Sequence, residues 1–289
     1  MKKCSLLSLL VLISTISFSQ VQVGIFGGLS QYQGDLLDRI FVGKTVKPAF
    51  GVLLGYELSE KVLLRGGLTL TKVAGSDRYM KKDYLRLRNL SFESKIVEGS
   101  LVVEYSILNL NDNRLSPYVF GGLAAYHFDP YTFDLENNKY YLRPLSTEGQ
   151  GLPQYPEIKK YSLNQIAIPF GGGIKYALTE NIHLGLELGF RKLFTDHLDD
   201  VSHQYVDEND LLTARGPLAV DLAYRGDEVP GGNPIYPQKG QQRGSNKYND
   251  LYYLTGLTLS FRLGNGGGGG GRTFGSNFRR GYGCPSNPM

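Results

Sequence analysis

Tryptophan is absent from the 289 residues, and cysteine occurs only twice, as Cys4 and Cys284. So few thiols exclude a disulfide scaffold. No stretch reaches the ~18 consecutive apolar residues of a membrane-spanning helix, so if the chain enters a membrane it does so as a closed barrel of strands. No amphipathic helix of ordinary length stands out. The four histidines, His127, His183, His197 and His203, have no nucleophile motif beside them, which removes the usual signature of a hydrolase. The expectation is a protein that is not an enzyme. It needs no cofactor and no metal, and it binds neither nucleic acid nor a small-molecule substrate.

What the chain does have begins at its start. Lys2 and Lys3 precede an apolar run from Leu6 to Ile16, then Ser17–Gln20. A basic start, a short apolar core and small residues before Gln20 describe a secretory signal peptide over residues 1–19. Removing those two lysines from the formal charge of +4 leaves the exported chain near neutral, at +2.

The rest alternates. From Ile166 the even positions read Ile166, Ile168, Phe170, Gly172, Ile174, Tyr176, and after Thr179–Asn181 they resume as Ile182, Leu184, Leu186, Leu188, Phe190. Two period-2 runs joined by a short polar turn predict a β-hairpin. Each run has the ~10 residues of a tilted membrane-crossing strand. Eight such runs are legible: Val21–Leu29, Phe50–Leu58, Val62–Lys72, Ser94–Leu108, Ser116–Phe128, Leu163–Leu178, Ile182–Phe194 and Asp250–Leu263. Short and long connections strictly alternate between them. Short periplasmic turns, long extracellular loops, an even strand count and both termini in the periplasm are the plan of an outer-membrane barrel. The fold expected is therefore all-β, an eight-stranded antiparallel up-and-down transmembrane barrel over residues 20–263.

The faces add detail. Outward apolar positions place Tyr56, Tyr105, Tyr176 and Phe261 at the periplasmic interface, and Phe50, Phe170, Phe190 and Tyr253 at the outer one. The inward faces collect Glu57, Arg65, Glu98, Glu104, Lys175, Glu187, Arg191 and Arg262, four acids and four bases. Eight strands leave an interior that side chains just fill, so these charges are expected to pair into a plug that conducts nothing. Inward Gly171, Gly173, Gly185 and Gly189 are expected to make room for them. The fifth strand is apolar on both faces and takes no orientation from its sequence.

After Leu263 comes a flexible linker of six glycines, Gly266–Gly271, in a tail over residues 264–289. No Lys-Ser or Lys-Thr pair follows it, so it is no phosphate loop. A relaxed coil from Gly264 to Cys284 spans roughly 25 Å, which sets the thiol clear of the membrane on the periplasmic side. Cys284 is the one thiol left after export, and an odd thiol there suggests pairing with another chain; the bland alternative is a stray thiol on a disordered tail. Arg272, Arg279 and Arg280 with Phe274, Phe278 and Tyr282 offer hot-spot residue types for an acidic partner, or form a solvated linker. Asp196, Asp199, Asp200 and Asp207 cluster in the longest loop without a calcium-loop spacing. They are expected to order its base through hydrogen bonds, with Arg143 or Arg215 as partners.

Several segments together resemble the PorG-type outer-membrane barrels of the Bacteroidetes type IX secretion system: residues 27–35 (GGLSQYQGD), 88–92 (RNLSF) leading to Glu98, 116–118 (SPY), 127–130 (HFDP), 145–151 (LSTEGQG) and 196–201 (DHLDDV). The resemblance covers most of residues 21–263. It implies an outer-membrane anchor for a periplasmic ring built from a lipoprotein and its partner subunit, in contact with outer-membrane lipid. Cys284-Pro285 matches a Cys-Pro near the family's C-terminus, which implies a disulfide from Cys284 to the ring lipoprotein. The six-glycine linker and residues 286–289 depart from the family pattern. The rival of another class is a stand-alone structural or adhesive surface barrel whose tail is inert; a lipid-modifying enzyme is a third.

Overall fold

The computed structural model describes residues 20–263, with residues 40, 246 and 248 excepted. Eight long strands form one ring: β1 (Val21–Gln33), β2 (Lys47–Ser59), β3 (Val62–Ser76), β4 (Ser91–Ser106), β5 (Leu115–Phe133), β7 (Asn164–Ala177), β8 (Ile182–Leu193) and β9 (Leu251–Arg262). A three-residue strand, β6 (Lys139–Tyr141), adds to β5 alone. Sequence neighbours pair antiparallel, β1 pairs with β9, and β4 with β5, so the sheet closes on itself. Closure leaves no open edge in the ring.

All eight expected strands are present, and several run further than their apolar outward faces. β1 continues through Gln33, β3 through Ser76 and β5 through Phe133, while β2 starts at Lys47 and β4 at Ser91. The reason is that the inward face stays apolar beyond the point where the outward face turns polar. Tyr32, Val73, Phe92 and Phe128 are buried and pack together in the main core. The ladder therefore projects past the apolar belt toward the long loops.

β5 takes its orientation from packing. Tyr118, Phe120, Ala124, Tyr126 and Phe128 face inward and are buried, whereas Val119 and Leu123 are exposed. Its ladder with β7 lapses between Gly121↔Phe170 and Ala124↔Ala167 without a change of register. Pro169 lies in that gap and has no N–H to give. The glycines expected to make room for charges make room for these rings as well. A Cβ on Gly173 would stand 2.8 Å from the Tyr118 ring, and one on Gly189 2.8 Å from that of Phe120 and 2.5 Å from the Arg191 guanidinium.

Of the two expected aromatic rows, Phe50 is 63% and Tyr105 47% exposed, but Tyr253 is only 9% exposed. Its ring lies against Phe190 at 5.8 Å, which in turn stacks on Phe170 at 5.7 Å. Its hydroxyl donates to Gln31 Oε1 at 3.1 Å. Tyr253 thus belongs to a cross-strand aromatic row and is covered by its neighbours.

The long loops fold into a cap. They carry three short helices, α1 (Asp83–Arg88), α2 (Glu208–Arg215) and α3 (Pro217–Ala223). A second core of Leu152, Tyr155, Val206, Leu211, Ala219 and Ala223 joins the third and fourth long loops.

Candidate functional site

Alternation along β3, β4, β7 and β8 sends six charged side chains into the lumen, where water is excluded and each charge requires a partner. Arg65 meets Glu187 at 2.6 Å and Glu104 at 3.6 Å, and Lys175 pairs with Glu104. Arg191 forks onto both oxygens of Glu98 at 3.1 Å each. Nearer the short turns, Arg262 meets Glu57 at 2.6 Å, with both side chains partly exposed. The structure thus brings all eight lumen charges into ion pairs.

Inward tyrosines complete the set. Tyr118 donates to Glu187 at 2.8 Å, and Tyr252 donates to Glu98. Arg65 also lies 5.0 Å from the Phe120 ring centroid. Between these groups remains a cavity of about 20 Å³, lined by Phe26, Arg65, Phe120 and Glu187 among others. That is room for about one water.

The second polar assembly lies in the cap, and sequence reading found only part of it. Arg88 donates to both oxygens of Asp77 at 2.7 Å. Arg243 donates to Glu148 at 3.0 Å and to the carbonyl of Asp200 at 2.6 Å. Arg88 also donates to the carbonyl of Arg243, so the two pairs are joined. Glu148 accepts from the amides of Ser202 and His203 at 2.9 and 3.1 Å.

Asp200 accepts from Thr147 at 2.5 Å and Tyr161 at 2.6 Å. The Tyr32 hydroxyl lies 2.6 Å from Asp199 and 2.9 Å from Asp250. Asp35 accepts from the amide of Ser245 at 2.6 Å. The segments that carry the resemblance therefore converge: Tyr32 and Asp35, Arg88, Thr147 and Glu148, and Asp196 to Asp200 all meet here.

Electrostatics in the cap are set by burial. Desolvation, reinforced by Asp199, pushes the Asp196 carboxyl up to about 9, and one of its oxygens is buried without a hydrogen-bond partner. Desolvation also raises Asp199 and Asp250 well above the carboxylate range. Asp200 is pushed up to about 6, its burial partly offset by Arg243.

Two expectations about the loop acids need correcting. Asp207 is not in the cluster; it caps α2 by accepting from the amides of Asn209 and Asp210 at 3.0 and 3.3 Å. Arg143 and Arg215 do not bond the acids either. Arg143 donates to the carbonyl of Tyr161 at 2.9 Å and Arg215 to Ser146 at 3.2 Å. The Asp199 carboxylate is held instead by the Tyr32 hydroxyl and the Val201 amide, and that of Asp200 by Thr147 and Tyr161. Asp35, Asp77, Glu148 and Asp250 were missed, because they come from separate stretches of sequence that no spacing links to one another or to the Asp196–Asp200 run.

The histidines are structural in their contacts. His197 stacks on Tyr161 at 4.7 Å and His203 lies 5.7 Å from it. His127 shares a 2.8 Å hydrogen bond with Asn164, and His183 is buried in the lumen. No group of metal-ligating side chains is found among the described residues. The tail residues Arg272, Phe274, Phe278, Arg279, Arg280, Tyr282, Cys284 and Pro285 lie outside the described residues, as does the signal segment 1–19.

Among solved structures, the chain is similar to Neisserial surface protein A, at 10% identity and a TM-score of 0.41, covering 84% of this chain and 97% of that one. It is also similar to OprG of Pseudomonas aeruginosa, at 10% identity and 0.39, covering 84% and 97%. A major outer membrane protein of Thermus thermophilus is similar at 14% identity and 0.40, covering 83% and 99%. No curated protein matches. Residues 2–215 match DUF6089, a domain of unknown function, and the chain belongs to that family.

Proposed function

We propose that this chain is a non-catalytic outer-membrane barrel that anchors a periplasmic assembly. The observation that carries the membrane seat is the barrel's outer wall. Ile25, Val52, Leu68, Leu101, Leu123, Ile166, Leu186 and Leu257, one from each ring strand, are between 50 and 69% exposed. A soluble protein rarely exposes so continuous an apolar surface, and hydrocarbon is the medium that removes its cost. The long loops then face outward and the short turns, with both termini, face the periplasm. A lumen filled by ion pairs and aromatic rings supports holding over transport.

The finer reading is a component of the type IX secretion system. Cys284, in the tail, forms a disulfide to the ring lipoprotein, and the basic and aromatic tail residues dock beside it. Support comes from the resemblance segments and from the single thiol of the exported chain. In oxidised outer membranes the expected result is a mixed disulfide on a non-reducing gel, absent in Cys284→Ser. Deleting residues 264–289 is expected to release the ring and stop secretion while the barrel stays folded. An intact ring in the deletion favours a self-contained surface barrel, the reading to which the folded cap lends weight.

A further inference from the structure

The outer end of the β3–β4 hairpin carries an excess of positive charge that the protein leaves unpaired. Lys72 and Lys95 are direct cross-strand partners on the outward face. Like charges so placed destabilise a sheet unless an anion lies between them. Above them, in the loop joining β3 to β4, Arg78, Lys81 and Lys82 are exposed. Arg39 of the first long loop is exposed as well, and that loop is tied to this one by a 3.3 Å bond from the Lys81 amide to Asp38.

None of these six cations is ion-paired among the described residues. The acids nearby are mostly engaged. Asp83 is held by Arg86, and Asp77 by Arg88. Glu93 is held by Lys47, though it also feels Lys72. Asp129 stands opposite Lys95 in register but makes no ion pair with it. Exposed Tyr84 lies beside Lys82, whose ammonium is 5.8 Å from its ring centroid, and Phe41, two residues after Arg39, is exposed as well.

Height along the wall decides what fits. Lys72 follows exposed Leu70 by two residues, and Lys95 precedes exposed Val97 by two. Two strand residues rise about 7 Å, so both ammonium groups stand one step above the last apolar residue. That is headgroup level if the belt lies in hydrocarbon, and lysines there direct their charge to the interface. We infer that the outer β3–β4 hairpin is a docking site for the phosphate groups of a phosphorylated glycolipid in the outward leaflet. Lys72 and Lys95 clamp a phosphate at the wall while Arg78, Lys81 and Lys82 reach over the sugar. The inference rests on the membrane seat proposed above.

The test uses the full exported chain in lipid nanodiscs, with folding checked by far-ultraviolet circular dichroism. Binding of lipid A bisphosphate is compared with that of its dephosphorylated form by native mass spectrometry. The wild-type chain is expected to prefer the phosphorylated lipid and to lose that preference as salt rises. Lys72→Gln with Lys95→Gln is expected to weaken binding by about fivefold for each lysine removed. Lys192→Gln, an exposed lysine on β8 across the barrel, is expected to change nothing.

A folded barrel that binds both lipids alike, or that is unaffected by the paired substitution, overturns the inference and leaves the membrane seat standing. Equal affinity for a soluble polyanion such as heparin assigns the patch to a glycan or acidic partner and also overturns it. A chain that stays folded but does not enter the bilayer overturns both readings.

Discussion

Removing one partner of the Arg191–Glu98 pair is the most direct trial of the lumen. Arg191 gives two 3.1 Å bonds to Glu98 and one of 2.8 Å to the carbonyl of Gly189. Both side chains are nearly inaccessible, at 6 and 1%. Arg191→Met keeps the stem and deletes the charge. Glu98 is then left with the Tyr252 hydroxyl and no cation, and a stranded buried carboxylate costs about 3–5 kcal/mol. Adding Glu98→Gln removes the stranded charge, so the double variant is expected to recover about half of that loss. The pair nearer the short turns supplies the control. Arg262 and Glu57 retain 12 and 22% exposure, so Arg262→Met is expected to cost about 1 kcal/mol or less. Reversible urea unfolding in phospholipid vesicles, followed by far-ultraviolet circular dichroism because the chain has no tryptophan, measures these three variants together with Glu98→Gln alone, which completes the cycle. If Arg191→Met costs less than about 1 kcal/mol, or the double variant loses the sum of its singles, the lumen is wet and the plug is wrong.

Two predictions concern the cap. Burial holds Asp196 up to about 9, above its unfolded value near about 4, so its contribution to cap stability is complete below about 4 and is lost as pH rises toward 9. Amide protection in residues 194–250, after correction for the intrinsic base-catalysed rise of exchange with pH, is expected to fall between pH 6 and 9.5 while that of the barrel strands does not change, and Asp196→Asn is expected to flatten that dependence. Arg243→Ala leaves Glu148, itself fully buried, with two backbone amides and no cation, at about 3–5 kcal/mol. Limited proteolysis is expected to cut the fourth long loop of this variant while the circular dichroism of the barrel is retained; an uncut loop would mean Arg243 does not hold the cap.

The barrel was legible because its information is local. Each strand declares its two faces by alternation, and the alternation of short and long connections orders them around the ring. β5 was not, since Tyr118 and Phe120 on one face are as apolar as Val119 and Leu123 on the other. Only the ring of neighbours decides which pair enters the lumen. The cap was hidden for a different reason. Its acids and arginines are drawn from residues 35, 77, 88, 148, 196–200, 243 and 250, and no period links them. Its helices are six to eight residues long, too short to show an amphipathic stripe. Asp207 looked like a fourth member of the acidic run because it is near in sequence. A helix N-cap position two residues before Asn209 was the competing signal.

The two polar assemblies solve burial of charge in opposite ways. In the lumen the count is four acids to four bases, and each acid has a cation within 3.1 Å or is paired with Lys175. In the cap Asp35, Asp77, Glu148, Asp196, Asp199, Asp200 and Asp250 surround Arg88 and Arg243. Seven carboxylates with two guanidiniums cannot all be ionised away from water at neutral pH. Tyr32 shows where a proton must lie. Its hydroxyl has one hydrogen and touches both Asp199 and Asp250, so one of those two contacts needs a proton from the carboxyl itself. A wall in hydrocarbon has no source of protons and must carry its own cations. A cap in water can take up what it lacks, which is why the barrel is expected to be indifferent to pH over the range in which the cap responds.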